Sequence, residues 1–461
     1  MPENRKKNIK GKIILQGSIK ALSPLHIGSG SDERSDMDVL LDENDQPYIP
    51  ATSFIGVLKR SLELKDSDKK NSKSFMDNFW GYIKDKDGRQ SCFCCSDLLC
   101  SNKSPKIVIR DGIKIDDKTG IVEDMGKYDY EIVERGAVFD LNMEFTFTDT
   151  DSDELFVKKM VSTIYAELTK NNIKIGAKTN NGFGEIQLVE NDKTAIRIFD
   201  FSQKKDVYDW LVNKDLNDRI IPKDQIIKKL GEPFEIVSNR LIIDACLKLK
   251  NSVIIRSYSN IPEMPDSTHI KSLDDWVLTG STIKGAIRAR ANRIVNTLGK
   301  SDGKSEKIIK ELFGHVDDKT RSKNAIKGHV LVKEVVLPKY IAEQQTRIKI
   351  DRFTGGTIGA ALFDSMPLFV DFNDKALKIE ITVEDCKDSW AGLLLLVLKD
   401  LWTGDLAVGG EKNIGRGVFE GVTATVDYNN SLIEIDKDFG NIAEKSKKML
   451  ESYVTALNQE G

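Results

Sequence analysis

Five segments of this 461-residue chain return in the same order about half a chain later, so whatever fold the first half adopts, the second half must adopt as well. KIILQGSIKALSPLHI, from Lys12 to Ile27, returns as RLIIDACLKLKNSVII, from Arg240 to Ile255, with apolar residues alternating in both. PATSFIGVLKR, from Pro50, aligns with TGSTIKGAIRA, from Thr279. Phe79, Trp80 and Gly81 correspond to Leu312, Phe313 and Gly314, an apolar helix end closed by glycine. IKIDDKTG (Ile113 to Gly120) and IKIDRFTG (Ile348 to Gly355) share six of eight residues, and IGAKTNNGFGEI, from Ile175, matches VGGEKNIGRGVF, from Val408. The offsets stay between 228 and 235 residues, and a tandem duplication is the simple explanation.

Within each copy the pattern reads strand, variable loop, helix, loop, paired strands, helix, glycine-rich loop and strand. Val157 to Leu168 and Trp390 to Leu401 supply the later helices. This alternation predicts an α+β fold with a ferredoxin-like or RRM-like sheet in each copy. The expected division is a first domain over 1–189, a structured linker over 190–237, a second domain over 238–430 and a helical tail over 431–461. In the linker RIFDF reads as a strand and KKDVYDWLVNKDL as a helix. In the tail Met449, Leu450, Tyr453, Val454 and Leu457 recur at helical spacing.

Lys and Arg total 69 against 72 for Asp and Glu, a net charge of -3, which argues against a uniformly basic nucleic-acid coat. Any anion-binding surface must be local. No run approaches the roughly 20 apolar residues of a membrane span, and MPENRKKNIKGK lacks the apolar stretch of a secretory signal. The expectation is a cytoplasmic protein with no membrane partner. Six cysteines, four of them within nine residues, fit a reducing compartment better than a disulfide framework.

Each copy carries a glycine-dense turn: Gly176, Gly182 and Gly184 in the first, Gly409, Gly410, Gly415 and Gly417 in the second. A tight turn is the plainer explanation of such glycines. Their recurrence beside Lys178, Lys412 and Arg416 favours backbone amides approaching a phosphate. Thr52 and Ser53, and Ser281 and Thr282, stand where a helix N-cap is expected. Lys59 and Arg60, and Lys284, Arg288, Arg290 and Arg293, follow them, a combination that favours phosphate. Solvated helix charge explains many such runs, yet IKGAIRARANR is far more basic than the chain as a whole.

The IKID segments predict hairpins turning at Thr119 and Gly120, and at Thr354 to Gly356, with Ile113, Lys114, Ile115 and Asp116 in one arm and Ile348, Lys349, Ile350 and Asp351 in the other. Cys92, Cys94, Cys95 and Cys100 offer ligands for Zn2+, but the paired CxxC spacing is missing and Cys94 and Cys95 would face opposite sides of a strand. His26, His269, His315 and His329 are too scattered for a preset imidazole site.

Taken together, LHIGSGSDERSDMDV, PYIPATSFIGVLK, RDGIKIDDKTGIVEDMGKYDYEIVERGAVF, IGAKTNNGFGEI, STIKGAIRA, RIKIDRFTGG and GGEKNIGRGVFEG resemble the RAMP superfamily, and within it the backbone subunits of type III CRISPR effectors. The resemblance covers both copies apart from the linker, the Lys65 to Cys100 insertion and the tail. It implies two tandem RRM-like domains with protruding hairpin thumbs, stacked along a CRISPR guide RNA, paired with target RNA, and assembled with other type III CRISPR effector subunits. It further implies endoribonuclease activity: an aspartate in the loop after the first strand cuts target RNA with a divalent metal such as Mg2+. Counting back three residues from the following strand, that aspartate is Asp36, with Asp38 as rival, and Asp266 in the second copy. The same two carboxylates would then be the metal ligands. A non-catalytic structural subunit and a guide-processing endoribonuclease are the alternatives.

Overall fold

The computed structural model describes residues 8–30, 33–64, 75–84, 87–102, 105–116, 119–148, 151–190, 194–212, 219–236, 239–258, 263–299, 302–315, 325–371, 375–438 and 442–460. It divides into two compact units. The first comprises Met1–Ile109, Tyr130–Ala177 and Phe183–Val237, and the second Arg110–Asp129, Lys178–Gly182 and Ser238–Gly461.

In the first unit, β1 (Ile9–Ala21), α1 (Ala51–Ser61), β2 (Phe93–Cys95), β5 (Val138–Thr148), α2 (Asp151–Thr169) and β6 (Ile186–Leu188) form the framework; the hairpin strands β3 (Ile107–Ile115) and β4 (Val122–Val133) are inserted between β2 and β5. The sheet is antiparallel in the order β6-β1-β5-β2. Counting only framework strands, that order is fourth, first, third, second. It is the ferredoxin-like β-α-β-β-α-β arrangement. The strands alternate as a half-covered sheet must: Ile13, Leu15 and Ile19 of β1 and Phe139, Leu141, Met143, Phe145 and Phe147 of β5 are buried. They meet Met160, Ile164 and Leu168 of α2, and Phe54 and Leu58 one turn apart on α1. The RIFDF segment is a strand, β7 (Ala195–Asp200), paired with β1 over Gly11 to Gln16, and α3 (Lys204–Val212) follows it.

The second unit repeats the framework with β8 (Arg240–Leu249), α4 (Gly280–Thr297), β10 (Val330–Val332), β13 (Leu377–Glu384), α5 (Asp388–Thr403) and β14 (Phe419–Tyr428). A short strand β9 (Ser267–His269) precedes α4, and the hairpin β11 (Gln345–Ile350) and β12 (Thr357–Met366) lies between β10 and β13. The order β10-β13-β8-β14 is the same, extended by β15 (Ser431–Ile435). The tail forms α6 (Glu444–Gln459), which buries Tyr453 and Leu457. It approaches α5 so closely that a Cβ on Gly392 would stand 2.2 Å from the Tyr453 carbonyl oxygen.

Two segments of the first repeat, 110–129 and 178–182, belong by packing to the second unit. There Arg110 Nη1 pairs with Glu334 Oε2 at 2.6 Å, both side chains buried. The amide Nδ2 of Asn180 donates to the carbonyl of Gly328 at 2.7 Å. Repeat and packing therefore divide the chain at different places.

Replacing Gly392 by Val puts methyl groups where the backbone of α6 already stands. Overpacking of this kind costs ~1–3 kcal/mol, so we expect a lower thermal midpoint and earlier proteolytic loss of the tail. Gly285, mid-α4 with nothing within 4 Å of its Cβ position, is the control. Its replacement by Ala should leave the midpoint unchanged or raise it.

Candidate functional site

The segment Ser23 to Gly28, which continues β1 beyond the sheet, carries three functional segments on its backbone. Gly184 N–H donates to Pro24 and Ala177 N–H to His26, which seats the glycine loop. Leu25 exchanges both backbone bonds with Val133 of β4, seating the base of the hairpin. Leu40 N–H donates to Ile27 and Gly28 bridges Val39, which closes the aspartate loop. The second copy repeats the pattern: Gly417 N–H donates to Ser252, Gly410 N–H to Ile254, and Ile270 N–H to Ile255, while Val253 pairs with Leu368.

Within the first aspartate loop the rival carboxylates separate by role. Asp38 is buried, accepting the backbone N–H groups of Glu33 (2.9 Å), Arg34 (3.1 Å) and Ser35 (2.8 Å) and the Ser35 hydroxyl (3.0 Å). Burial alone would raise its pKa, but the donors from Arg34, Ser35 and Glu33 outweigh that and hold it below the usual carboxylate value. Asp38 thus folds the loop, and Asp36 stands exposed on it. Glu131, buried in β4, accepts the N–H of Val39 (3.0 Å) and pairs with Arg34 (3.0 Å), tying loop to hairpin.

The register places the two candidate aspartates equivalently. Val39 bridges Gly28, His269 pairs with Arg256, and Gly28 and Arg256 are themselves repeat equivalents. Asp36 and Asp266 therefore each lie three residues before the same structural position, and both are exposed. Asp266 Oδ2 accepts the backbone N–H of Asp364 in β12 at 2.9 Å, which ties the second loop to its hairpin. His269 is buried, its Nδ1 accepting from Ile255 N–H and its Nε2 donating to the Val277 carbonyl, and burial pushes its pKa down to about 4. A neutral structural histidine results.

The two hairpins turn identically. Asp116 Oδ1 accepts Thr119 N–H and Oγ1, and Asp351 Oδ1 accepts Thr354 N–H and Oγ1. In both, the glycine after the threonine takes a positive φ, +70° at Gly120 and +66° at Gly355, and its N–H returns to the aspartate carbonyl. Lys114 and Lys349 are exposed with the isoleucines around them; Ile113, Ile115, Ile348 and Ile350 are about half exposed, and Phe353 is 85% exposed. These arms end in apolar side chains facing solvent.

A model of the RAMP superfamily matches residues 18–187 and 246–420, the two copies of the repeat and well over half of the chain. The chain belongs to the RAMP superfamily. Membership suggests a CRISPR-associated function, since RAMP proteins generally bind RNA and work in CRISPR complexes. A search of curated proteins returned no match.

The glycine loops of this RAMP protein correct the amide-to-phosphate expectation. Gly182 and Gly415 donate to the carbonyls of Thr179 and Lys412, and Gly184 and Gly417 to those of Pro24 and Ser252, so these amides are spent inside the protein. The glycines serve close approach instead. A Cβ on Gly184 would stand 1.9 Å from the Ile175 oxygen, and one on Gly417 would stand 1.8 Å from the Val408 oxygen. Arg416 is likewise occupied: buried, it donates to Glu411 (2.7 Å), Ser252 (2.8 Å) and Gln345 (2.6 Å). Its guanidinium holds the loop through these three bonds. Arg416, Ser252 and Gln345, with Asn251, Arg347, Phe369 and Ile414, line a shallow groove of about 320 Å³.

The helix-cap expectation also needs correction. Helix α1 begins at Ala51 behind Pro50, and α4 at Gly280 behind Thr279, so Thr52, Ser53, Ser281 and Thr282 lie inside the first turn; neither N-cap residue caps a backbone N–H of its helix, and the Thr279 hydroxyl pairs instead with that of Thr282 at 2.8 Å. The first N–H of α1 goes to Asp97 Oδ1 at 2.7 Å. Among the cations, Arg290 pairs with the buried carboxylate of Asp400 at 2.6 Å and packs α4 onto α5. Lys59 and Arg60 are exposed, and Lys284 and Arg288 half-buried. Burial pushes Lys284 down to about 8, with Arg288 adding to the effect. It does the same to Lys178, whose ammonium lies 4.8 Å from the Tyr128 ring centre, and it lowers Lys412. A phosphate beside any of these would raise its pKa again.

Burial pushes the Cys92 and Cys95 thiols up to about 12 and raises Cys100, so they remain protonated; Cys94 is exposed. Among the described residues no group of three or more His, Cys, Asp or Glu side chains stands close enough to hold a metal ion.

Sequence reasoning missed Glu411, a nearly buried carboxylate meeting Arg416 (2.7 Å), Arg256 (3.0 Å) and Arg347 (2.8 Å). The repeat held the signal: Glu411 is the equivalent of Lys178, and both take a positive φ, +56° and +58°. Burial would raise the Glu411 pKa, but the three arginines hold it below the usual range. Its contribution to stability is complete above the ordinary glutamate pKa of ~4.3 and is lost as pH falls through the lowered folded value. Glu411→Gln should cost ~3 kcal/mol at neutral pH, because breaking a buried pair strands its partner. It should also flatten the acid limb of the stability curve, as read by urea unfolding at neutral and acidic pH.

Proposed function

We propose that this chain is a backbone subunit of a type III CRISPR effector, holding guide RNA along both repeats and cutting paired target RNA at Asp36 and, in the second copy, Asp266. The observation that carries the reading is their shared placement: exposed, three residues before the bridge to the continued central strand, on a loop bonded to the hairpin arm. Asp38 and Glu131 stiffen the first loop, so the Asp36 carboxylate is presented from a fixed backbone.

The chemistry suits a ribonucleotide splayed from its duplex. The carboxylate accepts the 2′-hydroxyl proton as O2′ attacks the adjacent phosphorus. The P–O5′ bond breaks, leaving a 2′,3′-cyclic phosphate and, once its oxygen takes a proton, a 5′-hydroxyl. A divalent cation such as Mg2+, held by the aspartate and RNA phosphates, would offset phosphoryl charge. Lys59, Arg60, Lys284 and Arg288 are assigned to guide phosphates, contacts that carry no sequence information.

One observation favours a second reading for the second copy: the bond from Asp364 N–H occupies one Asp266 oxygen, which suits a carboxylate that holds the hairpin and does not cut.

In a complex reconstituted with guide and end-labelled target, Asp36→Ala should lower one set of cuts by ~10²–10⁴-fold with target binding unchanged. Asp266→Ala should remove a separate set; unchanged bands would assign that copy a structural role alone. EDTA, or a 2′-deoxy nucleotide at the scissile position, should abolish the cuts that depend on Asp36. Products that persist through all these changes would end the catalytic reading. Lys59→Ala should weaken guide binding on all sequences alike and reduce the salt slope by about 1.

A further inference from the structure

We infer that the exposed loop Lys412–Gly415 is a docking element for a RAMP-type domain of another chain, one whose corresponding helix opens on glycine, and that a second copy of this chain is not that partner. The inference rests on the backbone-subunit reading and names the neighbour it requires.

The second unit shows how the equivalent loop is covered. There the loop Lys178–Gly182 lies against β10 and the start of α4: a Cβ on Gly182 would stand 2.7 Å from Glu334 N and from the Val332 oxygen, and one on Gly280 would stand 2.3 Å from the Asn181 oxygen. Asn180 donates to the Gly328 carbonyl, and the hairpin base adds the buried Arg110–Glu334 pair. Glycine at the helix start is a condition of this fit, because any side chain at Gly280 would strike the loop carbonyl.

The loop in the second copy has the same backbone and no such cover among the described residues. Gly182 and Gly415 take φ of +86° and +83°, and each follows a single 3-10 turn, Thr179–Asn181 or Lys412–Ile414. Asn413 is the repeat equivalent of Asn180, the same residue type, yet it is exposed and makes no hydrogen bond among the described residues. Ile414 is 50% exposed, and nothing lies within 4 Å of the Gly415 Cβ position. An amide that donates across a packed surface in one copy and stands in solvent in the other marks a surface awaiting the same kind of partner.

The first copy does not supply that partner's face. By register Cys95 corresponds to Val332, since each pairs with the strand beside β1 or β8 at equivalent residues, so Asp97 corresponds to Glu334. Ala51 corresponds to Gly280, a position at which a Cβ in the second unit would stand 2.3 Å from the loop carbonyl of Asn181, so a methyl group there obstructs the same fit. The Asp97 carboxylate closes that helix end through the Ala51 N–H. On the docking side, Arg110 is replaced by Gln345, whose oxygen is already held by Arg416, so the ion pair has no counterpart. Glycine, arginine and glutamate are thus all absent from a self-stacked junction.

Sedimentation velocity of the full-length chain across the micromolar range tests this without the partner in hand. The natural sequence should remain monomeric. Ala51→Gly combined with Asp97→Ala restores a receptive face and should produce concentration-dependent association at least about tenfold tighter; adding Asn413→Ala should return it to monomer. Ala51→Gly alone, which keeps the Asp97 bond to α1, should associate in the same direction if the double variant proves unstable on thermal melting. Association of the natural chain that Asn413→Ala abolishes would overturn the inference. So would variants that stay folded and monomeric, or an Asn413→Ala chain that loses affinity for RNA and nothing else. Cleavage mapping is independent of these readouts, so a failure of the catalytic reading is told apart from a failure of this one.

Discussion

The continuation of the central strand past the edge of its sheet is the constraint on which each copy depends. From Ser23 to Gly28, and from Ser252 to Ile255, backbone groups that no longer have a framework strand beside them must find partners elsewhere, because buried amides and carbonyls left unpaired cost far more than a hydrogen bond returns. The glycine loop takes some of them, the hairpin base takes others and the aspartate loop takes the rest. Three segments far apart in sequence are brought together by one edge, and their mutual geometry is set by backbone bonds whose spacing side chains cannot alter.

Duplication then allowed the two copies to diverge where that scaffold does not decide the residue. Lys178 and Glu411 occupy one left-handed position with opposite charge. The lysine lies against Tyr128, while the glutamate gathers three arginines into a nearly buried cluster. Ala51 and Gly280, Asp97 and Glu334, and Arg110 and Gln345 are further pairs in which one member permits a close contact that the other does not. The shared residues are those that the turns require: the Asp, Thr and Gly of the hairpin tips and the glycines pressed against Ile175 and Val408. The differing residues lie where one copy receives a packed segment and the other does not.

Several residues recur as the repeat implies, yet are engaged inside the protein and not with phosphate. The glycines of both loops look like a phosphate cradle in one dimension because glycine fits either a ligand or a neighbouring carbonyl, and only the position of that carbonyl separates the two. Arg416 and Arg290 add to a basic count, yet Glu411 and Asp400, which neutralise them, lie five residues before and 110 residues after them in sequence. Asp38 and Asp36 are indistinguishable as letters two apart. The four donors that converge on Asp38 set them apart.

The order of the elements, the twofold repetition, the hairpin turns and the location of the aspartate loops were legible from the residues, because alternation, turn chemistry and self-similarity are local or periodic properties of a chain. Which carboxylate is buried, which arginine is spent, where the glycine amides point and which loop is left uncovered depend on atoms brought together from distant positions. Those choices are made by burial and by the pairing of polar groups within it, and a sequence carries no record of either until the chain has folded.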